Sequence, residues 1–387
     1  RHEERAAHLE LVAATLEPEA AADFLTSFTI VERILARGEG LIKLGFHGGV
    51  PCLIHLVAPE AFAAARFYYT ASAGHLAQCQ KLAREQGLEI AEGGVIIMPD
   101  GSRFWPASEA EIYDLLHLPY MPPELRNGTG EIEAALSGRL PDLIEADDMR
   151  GDLHVHSNYS DGGWSLSEIA AAAREKGWEY IAVCDHSPLL AMAGGLSREK
   201  LVARNQEIRR LNQEGGVTLL AGAEVDIRAD GSLDYPDDCL AELDIVIASM
   251  HTGFQQDRTR LMERLAKAMR HPHVHIIGHP LGRMLDQRAG FDLDPAEVIR
   301  LAAETGTALE INTSPHRLDL PDIYAKMAKD EGVCLAINND AHERSELEHL
   351  EYGIGLARRA WLEPSQVLNC LPLAKLRQQL QQKRSRA

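Results

Sequence analysis

The sequence predicts an α/β fold: a closed parallel barrel of seven strands, preceded by a smaller α+β domain. Two observations carry this reading. From about residue 151, short apolar runs ending at Val155, Cys184, Ala223, Ser249, Gly278, Ile311 and Ile337 alternate with amphipathic stretches at 166–176, 201–212, 260–270 and 295–305. Seven strand–helix units in about 210 residues suit a barrel with one strand fewer than the usual eight. In addition, His, Asp and Glu recur at the ends of these runs, where the chemistry of a parallel barrel gathers. An open doubly wound sheet fits less well, because no Gly-rich phosphate turn follows the first run.

Before residue 150 the pattern differs. The alternating run 9–15 reads as a strand, and 41–46 with 52–57 as a hairpin joined by the turn-forming His47-Gly48-Gly49-Val50. Ala58 and Pro59 start an Ala-rich helix expected to continue to about residue 86, with the proline suited to its first turn. The segment LPYMPPELRNGTGEIEAALSGRLPD, punctuated by Pro and Gly, then leads to an acidic linker around 145–148. This half is expected to be an α+β domain with a small helical appendage.

Composition bounds the function. At 387 residues, 45% hydrophobic and 25% charged, the chain suits two or three domains with real cores, which excludes global disorder or a fibre. Its 39 basic against 58 acidic residues give a net charge of −19, so any nucleic-acid contact must be local. Residues 1–150 hold 12 Lys/Arg against 23 Asp/Glu, and 71–80 contain no Lys or Arg. Six scattered cysteines without a C-x-x-C pair read as reduced thiols of a cytoplasmic protein. No apolar run approaches the ~18–20 residues of a membrane span, and no signal peptide is visible. The chain opens on Arg1 rather than Met, which suggests a fragment.

The candidate site consists of His154 and His156 on the first strand, Asp161 in YSDG, His186 in CDHS, Glu224 in GAEVDI, His251 in SMHTG, His279 in IGHP, and Asp340 with His342 in NNDAH. An H-x-H on a strand sends both imidazoles to one face because side chains alternate with period two. These nine nitrogen and oxygen donors, with no thiolate, suit Zn, Mn or Fe rather than an iron–sulfur cluster, and suffice for more than one ion. A lone His after a strand is often only a hydrogen-bonded structural residue. Nine such groups buried without a metal would leave polar atoms unpaired, at roughly 1–3 kcal/mol each. Arg283 in GHPLGR and Arg317 in SPHRLDL follow strand ends and suit a phosphate, since a guanidinium fork binds two oxygens. Asp226 is expected to orient a neighbouring group, and His275 and His316 to be structural.

The series DLHVHSNYSDG, AVCDHS, GAEVDI, SMHTG, GHPLGR and NNDAH resembles the motifs of the polymerase-and-histidinol-phosphatase (PHP) family of metallophosphoesterases, over about 151–361. The resemblance implies a distorted seven-stranded (βα) barrel with up to three divalent ions, Mn²⁺, Zn²⁺ or Fe²⁺. It implies that His154, His156, Glu224 and Asp340 hold the first ion. Glu224, as a bridge, would hold the second with His251 and His279, and Asp161, His186 and His342 the third.

VAPEAFAAARFYYTASAGH, LHLPYMPPELRNGTGEIEAA, LPDLIEADDMRGDLHVH and YGIGLARRAWL are similar to parts of bacterial and archaeal family X DNA polymerases. That resemblance implies a partial palm at 1–58, a thumb-like segment at 59–135, a linker at 136–150 and the PHP domain at 151–387. The family's palm carries R-R-x6-D-x-D and a third Asp on a later strand. Here His8-Leu9-Glu10 stands for the pair, and Leu53 in CLIHLV for the third Asp. Two-metal nucleotidyl transfer needs hard anionic oxygens, so the palm is expected to be an inactive scaffold.

The expected function is a metal-dependent phosphoesterase acting on a DNA 3′ end, as a 3′–5′ exonuclease or 3′-phosphodiesterase in DNA repair. A metal-activated water would attack phosphorus, with Glu224, Arg283 and Arg317 as the catalytic groups. The alternatives are a small-monoester phosphatase resembling histidinol phosphatase, and a non-catalytic metal-containing DNA-repair scaffold. The sequence does not fix the oligomeric state.

Overall fold

A computed structural model describes residues 1–385. It divides into two compact units, Arg1–Leu140 and Pro141–Ala387, and the division falls within the segment expected to link the domains.

The first unit contains a four-stranded sheet of β1 (Leu9–Ala14), β2 (Val31–Gly38), β3 (Leu41–Phe46) and β4 (Cys52–Val57), in the order β1-β4-β3-β2. The expected hairpin is present, since β3 and β4 pair antiparallel. β1 pairs parallel with β4, in a register that sets Glu10 opposite Leu53 and Val12 opposite His55. β2 was not expected: its sequence, VERILARG, is exposed along almost its whole length and lacks the alternation that marks a half-buried strand. A small core gathers Ala22, Ile42, Leu44, Cys52, Ile54 and Leu56 on one face.

The single helix expected from 59 to 86 is broken. A 3-10 turn at Pro59–Ala61 leads into a helix at Phe62–Thr70, and a second helix starts at Ala73 and ends at Glu85. Ala71 is extended, and the Ser72 hydroxyl accepts from the His75 backbone N–H, so serine caps a new helix instead of continuing the old one. Composition hid this break: alanines on both sides supply high helix propensity, and one capping serine outweighs it locally. Three two-residue strands, β5 (Glu89–Ile90), β6 (Ile96–Ile97) and β7 (Arg103–Phe104), form a further small sheet. Helices at Glu109–Leu115 and Glu131–Leu136 follow. Their core is Phe67, Cys79, Ile96, Ile112, Tyr113, Met121 and Ile132.

The second unit is a nearly closed barrel of seven parallel strands. They are β8 (Gly151–Val155), β9 (Tyr180–Val183), β10 (Thr218–Asp226), β11 (Ile245–Ser249), β12 (Ile276–Ile277), β13 (Ala308–Asn312) and β14 (Leu335–Asn338), each beside the next in sequence. A parallel bridge between Val155 and Ala341 brings the first and last strands together. Alternate residues face two cores. Ile181, Val183, Val246, Ala248, Leu309, Ile311 and Ile337 pack with the surrounding helices. Tyr180, Ala182, Ile245, Ile247, Ile276 and Ala336 instead share a second cluster with Leu376 and Leu380 of the helix Leu373–Ser385. Lys383 of that helix donates to the carbonyls of Met269 and Thr305, and Arg384 to that of Leu243, so it seals the end where strands begin. The expected acidic linker around 145–148 is a 3-10 turn at Ala146–Asp148, closed by reciprocal capping between Glu145 and Asp148. Loops after the strands are thereby left to build the opposite mouth.

Candidate metal centre

The nine expected donors meet at the carboxyl ends of the barrel strands, and three groups of them can each hold a cation. These are His154, His156, Glu224 and Asp340; His156, Asp161, His186 and His342; and His186, Glu224 and His251, with ligand atoms within 4.8 Å of one another in each group. The first group is the one the resemblance implied. The second adds His156 to the Asp161 set, and the third has His186 beside Glu224 and His251 where His279 was expected; His279 belongs to none of the three groups but lies 3.0 Å from Glu224 Oε1.

The strand ends explain the convergence. A register shift in β8 between Asp152 and Val155 lets Val155 join the outer core while His154 and His156 both turn inward, their Nε2 atoms 3.2 Å apart. Beyond β8 the chain turns sharply back at Gly162, where a Cβ would lie 2.2 Å from the His156 carbonyl oxygen. That turn is why glycine follows Asp161. His279 and Asp340 both take positive φ, 29° and 53°. Residues held in such sparsely populated conformations cluster at functional sites.

Glu224 lies at the centre, 1% exposed, and its two oxygens face different imidazoles. Oε2 lies 2.9 Å from His186 Nδ1, 3.5 Å from His154 Nε2 and 3.6 Å from His156 Nε2. Oε1 lies 3.0 Å from His279 Nε2 and 3.3 Å from His251 Nε2. Asp340 Oδ1 is 2.9 Å from His156 Nε2, and Asp161 Oδ2 is 3.5 Å from His186 Nε2 and 3.4 Å from His342 Nε2.

The electrostatics are those of a tightly packed charge cluster. Burial, reinforced by neighbouring imidazoles, pushes His156 down to about 4. Burial opposes the charged form of His186 too, but Glu224 and Asp161 overcome it and raise its pKa to about 10. Glu224 and Asp226 likewise lift His251 to about 9 against its burial. Desolvation works against ionised Glu224 and Asp340, yet the surrounding histidines hold both well below the usual carboxylate range.

The donor set fits divalent cations. His156 Nδ1 and His279 Nδ1 are buried without a hydrogen-bond partner, an arrangement costly for polar atoms unless something else satisfies the cluster. Imidazoles and carboxylates without thiolates suit Zn, Mn and Fe.

The other candidates separate. Arg317 reaches the cluster, its Nε 3.9 Å from Asp340 Oδ2. Arg283 donates to the Leu318 carbonyl, and its charge acts on the buried Asp319. Asp226 does orient a neighbour, with Oδ1 3.1 Å from His251 Nδ1. His275 is structural: its Nδ1 accepts from the Val246 N–H at 3.0 Å.

Sequence reasoning missed the supporting polar groups. Asp185, beside His186, accepts from Ser157 N (2.8 Å), Ser160 Oγ (2.7 Å) and Arg204 Nη1 (3.0 Å), fixing the loop that carries Asp161. Asp152 accepts from His154 N (2.8 Å) and Asn339 Nδ2 (2.6 Å), and burial raises its pKa to about 7. Glu310 and Asn312 end β13, the strand from which no donor was expected. The signal was available: Glu310-Ile311-Asn312 closes a strand that should face the same mouth.

Comparison with known proteins places this architecture. A PHP-domain model matches residues 152–314, and a DNA polymerase beta thumb model matches residues 65–127. The chain belongs to the PHP family. Within that family it resembles the thumb-containing part of a bacterial family X polymerase. It is 39% identical over 376 residues, 96% of its length, to the DNA polymerase/3'-5' exonuclease PolX of Bacillus subtilis, of which it covers 66%. A protein named a probable phosphatase from Thermoanaerobacter sp. is 31% identical over 247 residues, which is 60% of this chain and 95% of that protein. A solved histidinol phosphate phosphatase from Lactococcus lactis superposes with a TM-score of 0.42 at 17% identity, covering 55% of this chain and 94% of that one.

Proposed function

We propose that the protein is a metal-dependent phosphoesterase that hydrolyses DNA from the 3′ end, as a 3′–5′ exonuclease or 3′-phosphodiesterase. The observation that carries this reading is the division of Glu224: one oxygen faces His154, His156 and His186 while the other faces His251 and His279. A carboxylate so placed could serve two ions, and Asp161, His186 and His342 would hold a third. Divalent cations bound there supply Lewis acidity to phosphoryl oxygens and lower the pKa of water toward ~7. The protein's part is to hold the donors rigidly and to present cationic side chains to the ester. Arg317, 3.9 Å from Asp340 and 20% exposed, is placed to bind a non-bridging phosphate oxygen. Arg283 serves from further back, bracing the Leu318 backbone next to Arg317.

The four-stranded sheet is proposed to be an inert palm. Of its three positions for acidic metal ligands only Glu10 is a carboxylate. It stands opposite Leu53, and its Oε1 is taken by His55 Nε2 at 2.8 Å. Such a set does not clamp two Mg²⁺ ions.

A second reading, a phosphatase for small monoesters, is favoured by the excess of acidic residues in 1–150, where a DNA path would be basic. Hydrolysis of a 3′-labelled oligonucleotide, compared with a panel of small phosphate monoesters in the presence of Mn²⁺ or Zn²⁺, decides between them. Shortening of the oligonucleotide supports the first reading. Turnover of monoesters alone replaces it with the second. The absence of both, in metal-loaded protein, would leave a non-catalytic scaffold.

A further inference from the structure

β13 offers nothing to the cation groups, yet its last residues sit against them. Glu310 is completely buried, and each of its oxygens meets two partners. Oε1 is 2.8 Å from His154 Nδ1 and 2.9 Å from Asn338 Nδ2; Oε2 is 2.7 Å from the His279 backbone N and 3.3 Å from Asn312 Nδ2.

The orientation of these partners is fixed independently. Asn338 Oδ1 accepts from the Leu153 backbone N–H at 3.3 Å, so its amide nitrogen must face Glu310. Asn312 Oδ1 accepts from the Ser314 N–H at 3.1 Å, which turns its nitrogen toward Glu310 and toward Asp340 Oδ2, 3.0 Å away. The His279 N–H can only donate. Three of the four partners are therefore donors by construction. The fourth, His154 Nδ1, meets a carboxylate oxygen that accepts hydrogen bonds and has none to donate.

We infer that Glu310 is a positioning residue that keeps the proton of His154 on Nδ1, leaving Nε2 as the lone pair that faces Glu224, Asp340 and His156. This rests on the metal reading given above. Through Oε2 it ties the His279 backbone, and through Asn312 it steers the Asp340 carboxylate. One side chain on the donor-free strand thus sets the ligand atom of His154 and the placement of two other donors. Carboxylate–imidazole pairs of this kind raise the basicity of a metal-ligating His.

Glu310→Gln tests this sharply. In either orientation of the new amide, its NH2 faces a fixed donor, Asn338 Nδ2 on one side or the His279 N–H on the other. With the oxygen toward His279, His154 must accept at Nδ1 and carry its proton on Nε2, pointing into the cluster. Zinc affinity, measured by competition with a chromogenic chelator, should fall roughly 10–100-fold in this variant, while Glu297→Gln, exposed on the helix Pro295–Thr305, serves as a folded control. Unchanged affinity in Glu310→Gln would overturn the inference.

If that variant does not fold, the native protein still decides. With ¹⁵N-labelled histidine, long-range ¹H–¹⁵N spectra assigned by His154→Gln should show Nδ1 of His154 protonated both with and without zinc. A bare Nδ1 in the metal-free protein would overturn the assignment. Failure of the native protein to bind zinc at all would instead refute the metal reading and leave the Nδ1 result to be read on its own.

Discussion

The buried ion pair between Arg204 and Asp185 gives the most direct test of how the loop that carries Asp161 is held. Both side chains are completely buried, with Nη1 3.0 Å from Oδ2. Arg204 also donates to the Gly222 carbonyl and, through Nη2, to Asn205 Oδ1 at 2.8 Å. Arg204→Ala removes the cation and leaves Asp185 as an uncompensated buried charge, a change that costs about 3–5 kcal/mol in such settings. For a unit of this size, each kcal/mol moves the melting temperature by roughly 2–4 °C, so a fall of roughly 6–20 °C is expected. Thermal unfolding followed by circular dichroism measures it. Asp185→Asn alone and the double variant complete a cycle, in which the pair should couple strongly because each single change strands the other partner. A shift of about 2 °C or less in Arg204→Ala would refute the reasoning, since it would mean that Asp185 is neutralised or solvated without its arginine.

Four further outcomes follow from the same geometry. His156→Ala, which takes the imidazole common to two cation groups, should abolish metal-dependent ester hydrolysis while far-UV circular dichroism stays native; retained turnover would exclude His156 from the site. Chelation should lower the melting temperature and Mn²⁺ or Zn²⁺ restore it, since an ion present at 100 times its Kd stabilises the folded state by about 2.7 kcal/mol. Burial, and after it the Arg384 charge, pushes His275 down to about 3. Below about pH 6.5 the unfolded chain therefore binds a proton that the folded chain refuses, and stability falls toward pH 3 by up to roughly 1.4 kcal/mol per unit; denaturant titrations should show a shallower acid limb in His275→Gln. Primer extension with Mg²⁺ and nucleotides should show no incorporation above background, because Glu10 stands alone opposite Leu53.

How much of this was legible in the sequence depended on whether a residue's role was local. His154 and His156 declare themselves by spacing, and each later donor by its place at the end of an apolar run. The barrel was readable for the same reason, since strand and helix periods alternate without interruption from Gly151. Glu310 and Arg204 were not legible as supports, because their partners lie up to 156 residues away and only the closed barrel brings them together. The helix break at Ala71 was obscured by alanine propensity on both sides, and β2 by a surface position that removes the pattern a strand normally shows.

The division of Glu224 has a consequence for loading the centre. On the proposed reading one negative charge would serve two neighbouring positions, so an ion settling on Oε2 would drain electron density from Oε1 and alter the reception of the next. Occupancy would then proceed in order, with unequal steps, and refilling with one element would not by itself reproduce the native loading. Titrations of such a centre are to be fitted as linked equilibria, with the order of addition treated as a variable in its own right.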